Sequence, residues 1–389
     1  MLARWHAGPM TEVHADPLSQ LRARTSEKWR QYGPDVLPLF VAEMDFPLAE
    51  PVAEALIGRI RASDTGYAGS PGELPAAFAD FAERTWGWRP QEQGIRTTTD
   101  VSVAITEVLR TVVGPGDAVV INPPVYPPFT SCVREVGGRV VAVPLVADAD
   151  GVPSIDLDGL ERAFDAGGVK AYILCHPHNP VGVVHPAAVL RRVAELAELY
   201  DVLVVSDEIH APLTYAGGFT PFLSVSDEAR EVGITVTSAS KGWNLAGLKC
   251  ALMVAESTRS RWLLGSLPVE VGFRTSLLGL HGAVAAFRDG GPWLAGAMAS
   301  LAANRRLLTE LLTEHLPDVG YREPDATYLA WLDFRRVGWG EAPGTRALAG
   351  GVALSDGPTF GEPGSGHARL NFACSPDVLT EAIARLARA

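Results

Sequence analysis

Lys241 stands in Thr237-Ser238-Ala239-Ser240-Lys241-Gly242-Trp243-Asn244, between small polar residues and a Gly/Asn-rich turn. The apolar run Gly233-Ile234-Thr235-Val236 leads into it. An amine at the end of a buried strand is costly to keep charged and unpaired. It is well placed if it does chemistry, for example as an imine with an aldehyde cofactor. Upstream, a second run, Val202-Leu203-Val204-Val205-Ser206, ends in Asp207. A lysine and an acid at two strand ends suit pyridoxal 5'-phosphate. The lysine holds its aldehyde and, once freed by a substrate amine, can take a Cα proton. The acid keeps the pyridine nitrogen protonated, which makes the ring a better electron sink.

Other residues extend the pattern. Asn179, in the braced turn Cys175-His176-Pro177-His178-Asn179-Pro180-Val181-Gly182, is placed to donate to the cofactor's phenolic oxygen. Tyr126, between prolines in Pro123-Pro124-Val125-Tyr126-Pro127-Pro128, can lie flat on a planar ring. Thr97-Thr98-Thr99-Asp100-Val101-Ser102 reads as a strand meeting a helix start, where N–H groups such as those of Val101 and Ser102 bind phosphate. Ser238 and Lys249 can add a hydroxyl and a charge to the same phosphate. Arg369, at the start of a C-terminal strand, has the fork that matches a carboxylate. The plain alternatives are a core aromatic, a turn-capping Asn, a surface lysine and a structural ion pair. Glu208 points away from Asp207 if the strand continues. His176, His178, Asp207 and His210 lack the spacing of a metal site, and none is expected.

These groups need a scaffold. Short apolar, β-branched runs read as strands at 118–121, 139–143, 171–175, 202–206, 234–237 and 250–254. Helical periods at 101–113, 160–166 and 187–200 lie between several of them. The alternation predicts an α/β fold with a mostly parallel sheet covered by helices on both faces. Ligands in such sheets bind beyond the carboxyl ends of the strands, where Asp207 and Lys241 fall. An Ala/Leu-rich helix over 293–315 leads to a smaller C-terminal α/β unit with strands at 327–333 and 368–373. Pro/Gly clusters at 338–345 and 357–366 read as loops. The expected division is an N-terminal segment 1–50 joining the small domain, a large domain 51–290 and a small domain 291–389.

The chain has 389 residues, 47% hydrophobic and 20% charged, enough for a sizeable core. Its net charge of −12 argues against nucleic acid or an anionic membrane as the main partner. No apolar run is long enough to span a bilayer, and Met1–His6 lacks a signal-peptide core. Met10 is an alternative start. Cys132, Cys175, Cys250 and Cys374 form no CxxC pair and read as reduced thiols of a cytoplasmic protein.

Taken together, these pieces resemble the fold-type I pyridoxal-phosphate enzymes of the aspartate aminotransferase superfamily. More narrowly, the chain is similar to the cystathionine β-lyase, or C–S lyase, branch typified by MalY and PatB. The resemblance runs from about residue 27 to the end. Its motifs are Leu37–Phe46, Pro124–Phe129, His176–Gly182, Ser206–Ala211, Ser238–Leu248, Thr327–Asp333 and Arg369–Cys374. It implies Lys241 as the cofactor lysine, Asp207 on the ring nitrogen and Tyr126 on the ring face. It implies Asn179 and His210 beside the cofactor, with Val101, Ser102, Ser238 and Lys249 at the phosphate. It implies Arg369, Asn179 and Ala42 on the amino-acid substrate. Tyr67 matches a tyrosine given to the phosphate across a dimer interface, so a homodimer with shared sites is implied.

The chain departs from the branch at Glu43, Ala68, Pro212 and Gly242-Trp243, and Trp243 is expected to reshape the pocket. The implied activity is β-elimination from sulfur-containing L-amino acids, giving thiol, pyruvate and ammonia. An aminotransferase on the same scaffold is the first rival, and a regulatory protein using the fold is the second.

Overall fold

The computed structural model describes residues 12–215 and 218–389. The readings at Met1–His6 and Met10 lie outside the described residues.

Seven strands form the main sheet: β1 (Ile95–Thr98), β2 (Ala118–Ile121), β3 (Arg139–Ala142), β4 (Val169–Cys175), β5 (Leu203–Asp207), β6 (Gly233–Thr237) and β7 (Ala251–Val254). Their order is β1-β7-β6-β5-β4-β2-β3. Neighbours from β6 through β3 run parallel, whereas β7 is antiparallel to both β6 and β1. The expectation of a mostly parallel sheet therefore holds with one reversed strand. Parallel neighbours need a long crossover, usually a helix. The link from β6 to β7 instead carries two short helical turns, Ala239–Gly242 and Ala246–Leu248.

Both faces are covered, which is why the strands read as unbroken apolar runs rather than alternating ones. Val119, Ile121, Ile173, Val205 and Val236 pack on one side with Val101, Ile105, Val108 and Leu109 of helix Val101–Arg110. Val120, Tyr172, Leu174 and Val204 turn to the other side, with Leu190, Val193 and Leu196 of helix Ala187–Leu199. We label the helices that matter here α1 (Glu50–Arg61), α2 (Leu74–Trp86), α3 (Val101–Arg110), α4 (Ala187–Leu199), α5 (Leu277–Asp289), α6 (Gly291–His315) and α7 (Pro376–Arg388).

A second, antiparallel sheet lies toward the C-terminus. It contains β8 (Gly320–Tyr321), β9 (Leu329–Asp333), β10 (Ser355–Asp356) and β11 (His367–Asn371), in the order β8-β9-β11-β10. The 338–345 and 357–366 stretches are not plain loops. Helix Pro343–Ala349 begins in the first, and the second holds the 3-10 turns Gly357–Phe360 and Glu362–Gly364.

The N-terminal segment reaches this sheet. Leu37–Pro38 pairs in parallel with Val352–Ala353, and residues 40–46 then run on as a strap over the mouth of the main sheet. Asn371 Nδ2 donates to Val41 O and Glu43 O, each at 2.7 Å. Asn244 closes two bonds with Met44, from Met44 N and to Met44 O, both 2.9 Å. Beneath the strap, Lys28 Nζ is buried against Asp45 Oδ1 at 2.7 Å and donates to Glu43 O at 3.1 Å. Opposite charges removed from water together must be paired, and this pair fixes the strap's depth.

Candidate active site

A cavity of about 510 Å³ opens beyond the carboxyl ends of β4, β5 and β6, beneath the strap. Among its lining residues are Lys241, Asp207, Tyr126, Asn179, Val101, Ser102, Ser238, His210, Lys249, Arg369 and Ala42. Eleven of the twelve residues singled out from sequence thus share one cavity. The twelfth, Tyr67, is 88% exposed and packs edge-on against Phe273, with ring centres 6.4 Å apart. It lies outside the cavity of its own chain.

Asp207 is the last residue of β5 and is buried. Burial pushes its carboxyl up to about 7, against the Ile209 N–H, which donates to Oδ1 at 3.1 Å, and the Lys241 charge. Glu208 turns away as expected. Its carboxylate accepts from Ser206 Oγ and Phe222 N, and it does not line the cavity.

Lys241 sits in the helical turn Ala239–Gly242, not at the strand end itself. Its Nζ donates to Ala42 O at 2.8 Å. Burial and then the Arg369 charge pull the amine down to about 8, offset by Glu43 and Asp207. A sizeable neutral fraction near pH 8 is what a nucleophile and base needs. Tyr328 OH donates to the same Ala42 carbonyl at 2.9 Å. Tyr328 follows Thr327, a β-branched residue at φ 75°. That strain is held by Thr327 N donating to Leu213 O and by Tyr215 OH donating to Thr327 O.

Arg369, on β11, is buried. Nη1 donates to Asn179 Oδ1 at 3.0 Å, and Nη2 donates to Phe40 O at 2.9 Å. The guanidinium lies 5.0 Å from the centre of the Phe360 ring. Nε has no partner, and burial pulls the group down to about 10. His210 packs edge-on against Tyr328, and its Nδ1 is unpartnered. Burial and the charges of Lys241 and Arg369 keep this ring neutral.

The far end of the cavity is the start of α3. Asp100 caps it by accepting from Val103 N at 3.0 Å, leaving the first-turn N–H groups of Val101 and Ser102 without helical acceptors. Lys249 Nζ is 3.1 Å from Asp100 Oδ2. Ser238 Oγ already donates to Cys250 O at 2.6 Å and accepts from Ser240 N, so a bond from this hydroxyl to a ligand requires it to rotate.

Trp243 corrects an expectation. It is fully buried, donates from Nε1 to Gly290 O at 2.9 Å and packs on Phe81 and Phe287. It anchors the lysine turn from behind and does not line the pocket. A Cβ at Gly290 would fall 2.4 Å from Trp243 Nε1, so this contact requires glycine there. Sequence reasoning passed over Tyr328, Phe360, Asn244, Ser355 and Phe40. Tyr328 stands in a quoted motif, but its partner is 286 residues away. Among the described residues, no group of three or more His, Cys, Asp or Glu side chains is placed to hold a metal ion. No helix among them is long and apolar enough to cross a membrane.

Residues 34–386 match the model of the aminotransferase class I and II family. The chain belongs to this family. A Mycobacterium tuberculosis relative, provisionally named cystathionine beta-lyase, is 45% identical over 400 residues, covering 95% of this chain and 96% of the relative. The cystathionine beta-lyase of Corynebacterium glutamicum is 34% identical over 374 residues, covering 95% and 98%. The structure of cystalysin from Treponema denticola, which contains a pyridoxal 5'-phosphate cofactor, superposes with a TM-score of 0.89 at 25% identity, covering 97% and 98%.

Proposed function

We propose that this family member is a pyridoxal-phosphate-dependent carbon–sulfur lyase that eliminates thiols from L-amino acids bearing sulfur on Cβ. The observation that carries the reading is the meeting of Lys241, Asp207 and Arg369 in one cavity. The residues fit the cofactor. Asp207 is a buried carboxylate without a guanidinium or ammonium bonded to it, and a pyridinium N–H would supply that partner. The open N–H groups of α3 suit a phosphate, with Lys249 alongside. Bound there, pyridoxal 5'-phosphate supplies an electron sink for a carbanion at Cα.

The chain's own groups do the rest. Arg369 holds the substrate α-carboxylate through its planar fork. Tyr126 covers the ring face, and Asn179 links the ring edge to Arg369. Lys241 takes the Cα proton, burial having favoured the uncharged amine that can accept it. The electron pair left at Cα when that C–H bond breaks then forms the Cα=Cβ bond as the Cβ–S bond breaks, the sulfur pair leaving on the thiolate. Hydrolysis of the enamine product gives pyruvate and ammonia. We also propose that the molecule is a cytoplasmic homodimer lending Tyr67 to its partner's site. Its division is an N-terminal segment 1–50, a large domain 51–290 and a small domain 291–389.

Incubation of the holoenzyme with cystathionine should release thiol and pyruvate in equal amounts with no keto acid added. Borohydride should fix the cofactor to Lys241. Amino transfer dependent on a keto acid, with no thiol released, would assign the protein to the aminotransferases instead.

A further inference from the structure

Behind the end of β4, three histidines that the proposed chemistry does not use are packed away from water: His176, His178 and His185. His176 and His185 stack with ring centres 5.7 Å apart, and Phe219 covers His176 at 4.5 Å. None of the three lines the cavity.

Their hydrogen bonds fix their tautomers. His178 Nε2 is 3.0 Å from Pro124 O. A carbonyl only accepts, so Nε2 carries the hydrogen and Nδ1 is bare. His185 Nε2 is 3.4 Å from that bare Nδ1 and must be the donor. His176 Nε2 lies 3.0 Å from Thr220 O and donates in the same way. The arrangement requires a neutral His178 ring, because a proton on its Nδ1 would face the N–H of His185. Burial favours this state, pulling His176 and His178 down to about 4.

His178 differs from the other two in what it joins. Its own N–H donates to Val183 O and its C=O accepts from Gly182 N, so it is built into the turn that presents Asn179 next along the chain. Its ring reaches the carbonyl of Pro124, two residues before Tyr126. One imidazole thus ties the turn under Asn179 to the turn under Tyr126. The His176 ring, equally buried, reaches Thr220, which does not line the cavity, and its one link to a cavity residue, His176 N donating to Asp207 O at 2.9 Å, is made by backbone and survives replacement of the side chain.

We propose that His178 is a positioning residue. Its imidazole, oriented by the His185 N–H, locks the Asn179 turn to the Tyr126 turn and sets the slot that receives the planar cofactor ring. This rests on the reading of Asn179 and Tyr126 given above. A slot set from behind acts on every state in which the ring is bound, so its loss affects cofactor affinity and turnover more than substrate KM.

The test compares His178→Leu, His178→Gln and His176→Leu. It reads cofactor dissociation by absorbance titration with pyridoxal 5'-phosphate, kcat and KM separately, and the unfolding midpoint of the cofactor-free protein. His178→Leu should weaken cofactor binding about tenfold, the scale of one lost buried hydrogen bond. It should also lower kcat more than it raises KM. His178→Gln supplies an amide N–H for Pro124 O and an oxygen for His185, and should bring affinity back to within about threefold of the parent. His176→Leu should lower the unfolding midpoint as His178→Leu does, yet leave affinity within about twofold. Equal losses of affinity in His176→Leu and His178→Leu, or no recovery in His178→Gln, would overturn the proposal and leave only a packing role. If His178→Leu does not fold, His185→Phe, which removes the orienting donor, must weaken cofactor binding about threefold. Unchanged affinity in that variant overturns the proposal equally. Parent protein that takes up no cofactor at all would instead overturn the reading of the site.

Discussion

Asp207 carries the sharpest conflict between stability and function in the chain. Without cofactor, its carboxyl is buried and pushed from 3.8 up to about 7. The native state therefore binds this proton more tightly than the unfolded chain. The associated stability is complete below the unfolded value and is lost as pH rises through about 7. Asp207→Asn should make the cofactor-free protein more stable than the parent at pH 8, by up to about 4 kcal/mol, with the gap closing toward pH 4. The same change should weaken cofactor binding and slow Cα deprotonation, because an amide cannot keep the ring nitrogen protonated. Urea unfolding at several pH values beside single-turnover kinetics checks both halves, and normal turnover would remove Asp207 from its role. Arg369→Lys is the companion test at the substrate. The charge survives but the fork does not, so apparent substrate affinity should fall about tenfold or more. The absorbance of the bound cofactor should stay as it was, and an unchanged KM would mean that another group takes the carboxylate.

Elements decide whether those residues meet, and here sequence was an uneven guide. The covered parallel strands were legible because burial on both faces leaves Val, Ile and Leu unbroken along them. The reversal of β7 was not, since an apolar run carries no direction. Only the lack of a crossover helix between Thr237 and Ala251 hinted at it. Lys241, Asp207 and Arg369 could be singled out because each is a charged group at the edge of an apolar run. Tyr328 and Asn244 could not, because their role lies in bonds to the strap hundreds of residues away. The start of α3 was legible as Thr-Asp before an apolar period, and it yields a prediction. Asp100 uses one oxygen to cap Val103 N and the other to hold Lys249. The ion pair is exposed and contributes little, so the cap dominates. Asp100→Ala should cost about 1 kcal/mol of stability and weaken cofactor binding, while Asp100→Ser should restore most of the stability through the same cap. A midpoint unchanged in Asp100→Ala would show that the α3 start is held by other bonds.

At the scale of the molecule, Tyr67 is the residue that one chain does not explain. It was singled out with the phosphate-binding groups, yet it stands at the surface beside a half-exposed Phe273. Large apolar side chains of the α-helical segments nearby in sequence are exposed as well: Ile60 at 57% and Val269 at 66%. A second copy related by a twofold axis would cover such a face and carry Tyr67 to the opposite cavity, in exchange for its own. The consequence is countable. In such a homodimer, Lys241→Ala should impair both sites by abolishing turnover, and Tyr67→Phe should impair both by weakening it. When the two variants are unfolded together and refolded, random pairing makes half of the dimers hybrids. In each hybrid, one cavity receives both lesions and the other receives neither, with Lys241 from one chain and Tyr67 from its partner. Activity should therefore reach about one quarter of the parent level plus about one quarter of the Tyr67→Phe rate, above the average of the two separate variants, which is about half the Tyr67→Phe rate. A mixture no more active than the average of its components would place Tyr67 outside any shared site, leaving it a surface aromatic stacked on Phe273.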